Sequence, residues 1–463
     1  MEVNKSSPEI KTKEKANYGA LISFFVFELL AITAFTLANS VIIYSALALL
    51  FLVLILVIGI KDFKITQSAD FFIFLIPLFI FAALTAFSAF SFKNISILLI
   101  NIFSLLGVMS FALVGFLSRK MEGFKISNAL LVIYGAIALL VLISFIMTMI
   151  NYVPFYALIY RGKYFYYNGM PLTAYTDANQ LMGFAFKDVS LEYYSLFSVL
   201  LLTGIVALRF ISFKENKREF FIYLSFAVLG FISCLFTLNE VSLITLPFVI
   251  LFLLFVTFYP KKDKPMKIVK IIFYVLLALI GITFVLFFLN AQESWSAISP
   301  LQNLIKSNSV LNKVFNGNRI SAAIKAVLSV NLKDLLLGYG GNAYNIFKDK
   351  MLSNSIIFDS ILTSGLIGVI ALIVFIVFVT RSLKRYYSMS EDSPVYKHLV
   401  IAFIGTFFIY SILSLDSSPE THSLYIQPAT SNPMFLITVF LIGYSFTARK
   451  SKKSIEVITN EEA

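Results

Sequence analysis

Polar and apolar residues in this chain come in long blocks, with no short alternation between them. A helix rising about 1.5 Å per residue needs roughly 20 apolar residues to cross a 30 Å hydrocarbon layer. Apolar blocks of that size recur along the sequence and predict twelve helices, at 18–38, 41–60, 71–91, 95–117, 128–150, 193–212, 219–238, 241–259, 268–290, 356–380, 398–415 and 432–448. Polar sequence is confined to the gaps. Most gaps are short, but 151–192 and 291–355 are long, and a third polar stretch runs from Asp416 to Ser431.

Composition sharpens this picture. Hydrophobic residues make up 59% of the chain and charged residues 13%. Soluble domains carry about 45–50% apolar and about 25% charged residues. The balance therefore excludes a soluble enzyme and a disordered protein. The fold class expected is an all-α polytopic integral membrane protein with a single transmembrane domain over 18–448, flanked by tails at 1–17 and 449–463. One cysteine, Cys234, excludes an intramolecular disulfide, and two histidines, His398 and His422, exclude a histidine-rich metal centre. No metal and no cofactor is expected. The first apolar block has no small-residue cleavage site, so it reads as a retained helix.

Charge orients the helices. With the N-terminus in the cytoplasm, 26 of the 37 Lys and Arg fall on inner segments and 11 on outer ones. Short basic inner loops are the positive-inside pattern. Both termini then lie in the cytoplasm, and the two long loops, between spans five and six and between spans nine and ten, lie outside. The net charge of +12 is thereby explained without a nucleic-acid partner. No P-loop and no dinucleotide fingerprint is present. Chemistry, if the protein performs any, belongs on the outer side, where there is no ATP.

Candidate residues sit mainly in the outer segments. The first long loop clusters Tyr160, Tyr164, Phe165, Tyr166 and Tyr167 around Arg161 and Lys163. Such a cluster is either an interfacial aromatic belt or a platform on which sugar rings pack beside a phosphate-binding cation. Asp177-Ala-Asn-Gln-Leu-Met-Gly183, containing Asn179, follows and suggests a broken start to the sixth helix. In the second long loop, Asn316-Gly-Asn-Arg319 opens an amphipathic helix running to about residue 332, with Ile320, Ile324, Val327 and Leu328 on one face. A cation at a helix start opposes the macrodipole. Arg319 there is either a solvated surface residue or, with the free N–H groups of the first turn, part of a phosphate site. Gly338-Tyr-Gly340 then makes a tight turn. Small residues Ser360, Ser364, Gly365 and Gly368 suit close helix packing in the tenth span. Within the spans, Glu28 and Asp359 are carboxylates at membrane depth, which are either hydrogen-bonded structural groups or functional ones.

This order of features resembles the O-antigen ligase and oligosaccharide repeat-unit polymerase superfamily. The resemblance rests on Arg319 opening the amphipathic helix, on the Gly338-Tyr-Gly340 turn, and on Asn354-Ser355 followed by nine residues, Gly365, two residues and Gly368. Asp177 to Gly183 looks like the family's Asn-Pro-Asn-type segment. The resemblance covers about 170–370. Two positions depart from it. Asn354 stands where the family has a histidine, and Leu238-Asn239-Glu240-Val241-Ser242 lacks the family's arginine after span seven.

The resemblance implies a glycosyltransferase in the bacterial cytoplasmic membrane. Its donor would be an undecaprenyl-pyrophosphate-linked glycan, and its acceptor another glycan or a lipid, wall polymer or protein. A flippase and a chain-length regulator would be further partners. Arg319, Asn354, Asp359 and His422 are the catalytic candidates. Arg161, Tyr164, Tyr167, Asn179, Gly338, Gly340 and Ser355 are the substrate-binding ones. Since Asn354 cannot act as a base, Asp359, Glu420 and His422 are candidates for that role. A lipid-linked-oligosaccharide flippase and a non-catalytic scaffold are the alternatives.

Overall fold

The computed structural model describes residues 124–150, 166–167, 170–171, 216–237, 299–308, 327–339, 356–413 and 433–446, together with residue 76 and scattered positions of 109–119, 200–214, 271–290 and 324–325. These residues are helical apart from one small ladder and short connections. The helices are α1 (Ile126–Ile150), α2 (Lys217–Thr237), α3 (Ser299–Ser307), α4 (Leu332–Leu337), α5 (Ile356–Met389), α6 (Pro394–Leu413) and α7 (Pro433–Ser445). The ladder pairs β1 (Tyr166–Tyr167) with β2 (Met170–Pro171), antiparallel. Asn168-Gly169 separates the two strands in sequence, the dipeptide that two-residue hairpins favour. Apart from this two-residue ladder the elements among the described residues are helices, as the all-α expectation has it.

Five expected spans coincide with described helices: α1, α2, α5, α6 and α7. The described positions near 111–119, 200–210 and 271–290 are helical too. The expected spans 18–38, 41–60 and 241–259 lie outside the described residues, and 71–91 is described only at Ile76. By length and composition, one described stretch can cross a membrane on its own, Ser364–Met389. Residues 126–139 and 394–409 are shorter apolar helices.

Helix α5 runs past the boundary expected at residue 380. Arg381, Lys384 and Arg385 continue it, exposed, to Met389. Straight-chain basic residues are good helix formers, and no Gly or Pro interrupts the segment before Pro394.

The core lies around α7. Every residue from Ile437 to Phe446 is buried, as befits a helix apolar on all sides. It packs against α5 and α6. Against the helical stretch at 111–116 it makes a reciprocal glycine crossing. A Cβ on Gly115 would overlap the Phe440 carbonyl, and one on Gly443 would overlap the Ala112 carbonyl. Lipid tails are as apolar as leucine, so helices in a bilayer gain from close backbone approach and not from the hydrophobic effect. Gly115 and Gly443 provide that approach. Helices α5, α1 and α2 turn apolar residues outward, among them Leu366, Ile370, Ile373, Val377, Leu139 and Val228. Apolar surface of that extent is not left to water. It accompanies the one described stretch that is long and apolar enough to cross a membrane.

Candidate functional site

The two ends of α5 differ in chemistry. The C-terminal end enters a polar cluster. Arg119 lies over the Tyr386 and Tyr444 rings at 5.3 and 5.4 Å and donates to the Tyr444 carbonyl at 3.2 Å. Asp392, in the α5–α6 connection, accepts from the Tyr386 hydroxyl at 2.8 Å, from Ser390 at 2.7 Å and from Tyr444 at 3.2 Å. Lys397 donates to the Tyr387 and Ser390 carbonyls. The buried His398 ring packs between Phe210 and Tyr387, with Nδ1 at 2.6 Å from the Pro394 carbonyl. Close by in the chain, Glu219 accepts from Tyr396 at 2.7 Å, joining the start of α2 to α6. These contacts join helix ends from four parts of the chain, and each side chain is occupied in holding them.

The other end is an interrupted helix. Gly365 departs from helical geometry, with φ 64° and ψ −166°. Upstream, α4 ends at Gly338, with φ 73° and ψ 174°. Both values lie in a region of backbone space open essentially to glycine alone. The two glycines belong to one junction. A Cβ on Gly365 would overlap the Leu336 carbonyl, so the backbone of α4 rests directly on the break. One residue past Gly338, the Tyr339 N–H donates to the Leu362 carbonyl at 2.8 Å. Leu362 is buried, with Val327, Val330 and Tyr339 packed on it. Ser360 and Ser364, on the α5 side, are buried too.

Local sequence explains how α4 arrives there. The amphipathic helix expected to run to residue 332 instead gives way to a turn at 329–330 and restarts as α4. Asn331 is extended, with φ −65° and ψ 151°, and precedes α4. Asparagine favours such a boundary because its side chain competes with helical backbone bonds. The Gly338 N–H bonds to the Asp334 carbonyl at 2.6 Å and closes the short helix. The Tyr339 hydroxyl also donates to the Asp334 side chain. Desolvation first, and that hydrogen bond second, raise the Tyr339 phenol above its ordinary value of 10.0. The phenol is therefore protonated at neutral pH and able to donate.

Among the residues singled out from sequence, Gly338 is placed at this junction. Asp359 lies in the first turns of α5, six residues before the break, and Tyr167 lies in β1. Arg161, Tyr164, Asn179, Arg319, Gly340, Asn354, Ser355, Glu420 and His422 lie outside the described residues, as does Glu28. On the amphipathic segment, Ile324 is buried and Val327 packs inward, but Leu328 is exposed. The fourth residue expected on that face, Ile320, lies outside the described residues. The helical phase ends at residue 328, so nothing beyond it continues that face. Sequence reasoning missed Asp334 and Leu362. The one signal for either was the proximity of Asp334 to Tyr339 in sequence. Among the described residues, no group of three His, Cys, Asp or Glu side chains is arranged to hold a metal.

Searched against protein-family models, the chain has no match, and no curated protein matches it.

Proposed function

We propose that this chain is a twelve-span glycosyltransferase of the bacterial cytoplasmic membrane, working on its outer face with a lipid-pyrophosphate-linked oligosaccharide donor. The observation that carries this reading is the junction at Gly365. There a segment of the second long loop straps onto the end of α5 remote from the Arg119–Asp392 cluster. The junction unites Gly338 and Gly365, two of the positions on which the resemblance to O-antigen ligases and repeat-unit polymerases rests. It also anchors the segment that follows Arg319 in sequence, and the helix that follows Asn354, Ser355 and Asp359.

In this mechanism Arg319, assisted by Arg161, binds the pyrophosphate. Arginine pairs with phosphate oxygens through two parallel hydrogen bonds. An acceptor sugar hydroxyl attacks the anomeric carbon of the donor glycan. The new glycosidic C–O bond forms as the bond to the pyrophosphate oxygen breaks, and the lipid pyrophosphate leaves with the electron pair. The arginines stabilise the charge gathering on it. The hydroxyl proton passes to a general base drawn from Asp359, Glu420 and His422. Asn354 and Ser355 bind donor or acceptor by hydrogen bonds. Tyr164, Tyr167, Asn179 and Gly340 line the glycan path. The reading leans towards a polymerase of capsular or other surface polysaccharide, with a ligase differing in its acceptor alone.

Interrupted membrane helices also serve transporters, so a flippase for the same lipid-linked glycan is the rival. Reconstitution separates the two. Purified protein in vesicles, supplied with lipid-pyrophosphate-linked oligosaccharide, is expected to yield a ladder of longer glycans and released lipid pyrophosphate. Arg319→Ala is expected to abolish both at unchanged protein level. Movement of intact donor across the bilayer without release would favour the flippase. Undiminished product from Arg319→Ala would overturn the assignment of the arginine.

A further inference from the structure

We propose that α4 is an interfacial anchor, with Leu332, Leu336 and Leu337 immersed in the lipid leaflet at the Gly365 end of α5. This concerns the membrane surface and holds whether or not the protein transfers sugars.

Three observations carry it. First, the strap is apolar on the side that the protein leaves uncovered. Leu332 is 79% exposed, Leu337 58% and Leu336 47%, with Leu328 exposed just before them. Water is a poor environment for four leucines within ten residues, and exposed apolar surface of this kind marks a contact with another apolar phase. Second, that surface continues the exposed apolar row of α5. The backbone of Leu336 and Leu337 abuts Gly365. The next two residues of α5, Leu366 and Ile367, are exposed and begin the row that continues through Ile370, Ile373, Val374 and Val377. The strap's leucines therefore lie at the rim of the membrane-crossing stretch Ser364–Met389. Third, the charge is placed as an interface requires. Lys333 is exposed between Leu332 and Asp334, and Lys325 is exposed one turn before Leu328. A lysine can lay its methylene stem along apolar surface and keep its ammonium among headgroups. The half-exposed Asp334 carboxylate is taken up by its hydrogen bond from Tyr339.

The anchor gives the junction at Gly365 a second hold. One side of the strap is fixed by the Tyr339–Leu362 hydrogen bond and by packing on Leu362. The leaflet fixes the other, as it does for amphipathic interfacial helices.

The test uses the full chain in vesicles of phosphatidylcholine and phosphatidylglycerol. Cys234→Ser provides a cysteine-free background. Single cysteines are then placed by Leu332→Cys and Leu336→Cys, with Ile373→Cys as a lipid-facing reference and Glu391→Cys as a water-facing one, and all four carry an environment-sensitive fluorophore. Labels at 332 and 336 are expected to be quenched several-fold more by shallow spin-labelled lipid than the label at 391, and to be protected from iodide. Iodide quenching equal to that at 391 would place the strap in water and overturn the proposal. Quenching by neither agent, with 373 still quenched by lipid, would mean protein covers the leucines and would overturn it equally. Because a cysteine at 336 can disturb the junction, unaltered protein is also irradiated in vesicles containing diazirine-bearing phosphatidylcholine. Lipid adducts are expected on the peptide spanning residues 328–337, and their absence while adducts form on residues 366–377 would contradict the anchor.

Discussion

Gly338 and Gly365 hold backbone conformations that an L side chain resists, and only one of the two needs was legible in the sequence. Gly338, after a run of leucines and before Tyr-Gly, reads as a helix stop. Gly365 reads as a small residue for packing, and so it serves, but its positive φ and its partner were not readable. That the backbone just before Gly338 rests on Gly365 is a tertiary fact, across 26 intervening residues whose sequence does not announce the contact. Gly365→Ala should cost about 1–3 kcal/mol from the backbone conformation alone, and more because the Leu336 carbonyl must move to admit the methyl. Gly135, in α1, has nothing within 4 Å of where a Cβ would stand. Gly135→Ala should therefore be neutral or slightly stabilising, since alanine is the better helix former. Thermal unfolding in detergent distinguishes the two. Equal midpoints for Gly365→Ala and Gly135→Ala would remove the strain argument.

At the scale of elements, apolar blocks located the five long described helices α1, α2, α5, α6 and α7, because a long run of one character survives tertiary context. Ends did not follow from the same rule. The end of α5 is set by what caps it, and that cap is the connection Ser390 to Pro394. Asp392 accepts from two tyrosines on different helices, Tyr386 of α5 and Tyr444 of α7, and so ties those two helices together. A sequence shows Asp392 as one polar residue in a short basic loop. Its partners are 6 and 52 residues away. Asp392→Ala leaves the Tyr386 and Tyr444 hydroxyls without this acceptor and should cost about 1–3 kcal/mol. Asp392→Asn keeps one acceptor oxygen and should lose less. The measurement is again the unfolding midpoint, now read beside tyrosine fluorescence from the cluster. Equal midpoints for wild type and Asp392→Ala would mean that Arg119 and the ring contacts hold the helix ends unaided.

For the whole molecule, the question is which end of α5 faces the cytoplasm. Charge counting assigned the segments around Arg119, Arg209 to Arg218, Arg381 to Lys397 and the end of the last span to one side, with no knowledge of their proximity. Arg119, Asp392 and Tyr444 converge at one end of α5, and Glu219 meets Tyr396 at the start of α6. The strap from the second long loop sits at Gly365, and the 26 residues of Ser364–Met389 extend about 39 Å at 1.5 Å per residue. That is enough to put a hydrocarbon layer of about 30 Å between the two ends. The proposed donor chemistry is read from fewer residues than the proposed topology, because Arg319 and His422 belong to loops whose meaning depends on what folds beside them. Orientation nonetheless decides whether that chemistry has a substrate to meet. In spheroplasts of cells expressing a Cys234→Ser background, a membrane-impermeant thiol reagent should label Asn331→Cys directly and Glu391→Cys only after permeabilisation. The reverse pattern would put the Gly365 junction in the cytoplasm. A lipid-pyrophosphate donor already carried to the outer leaflet would then be out of reach, and the glycosyl-transfer reading would fall together with the topology.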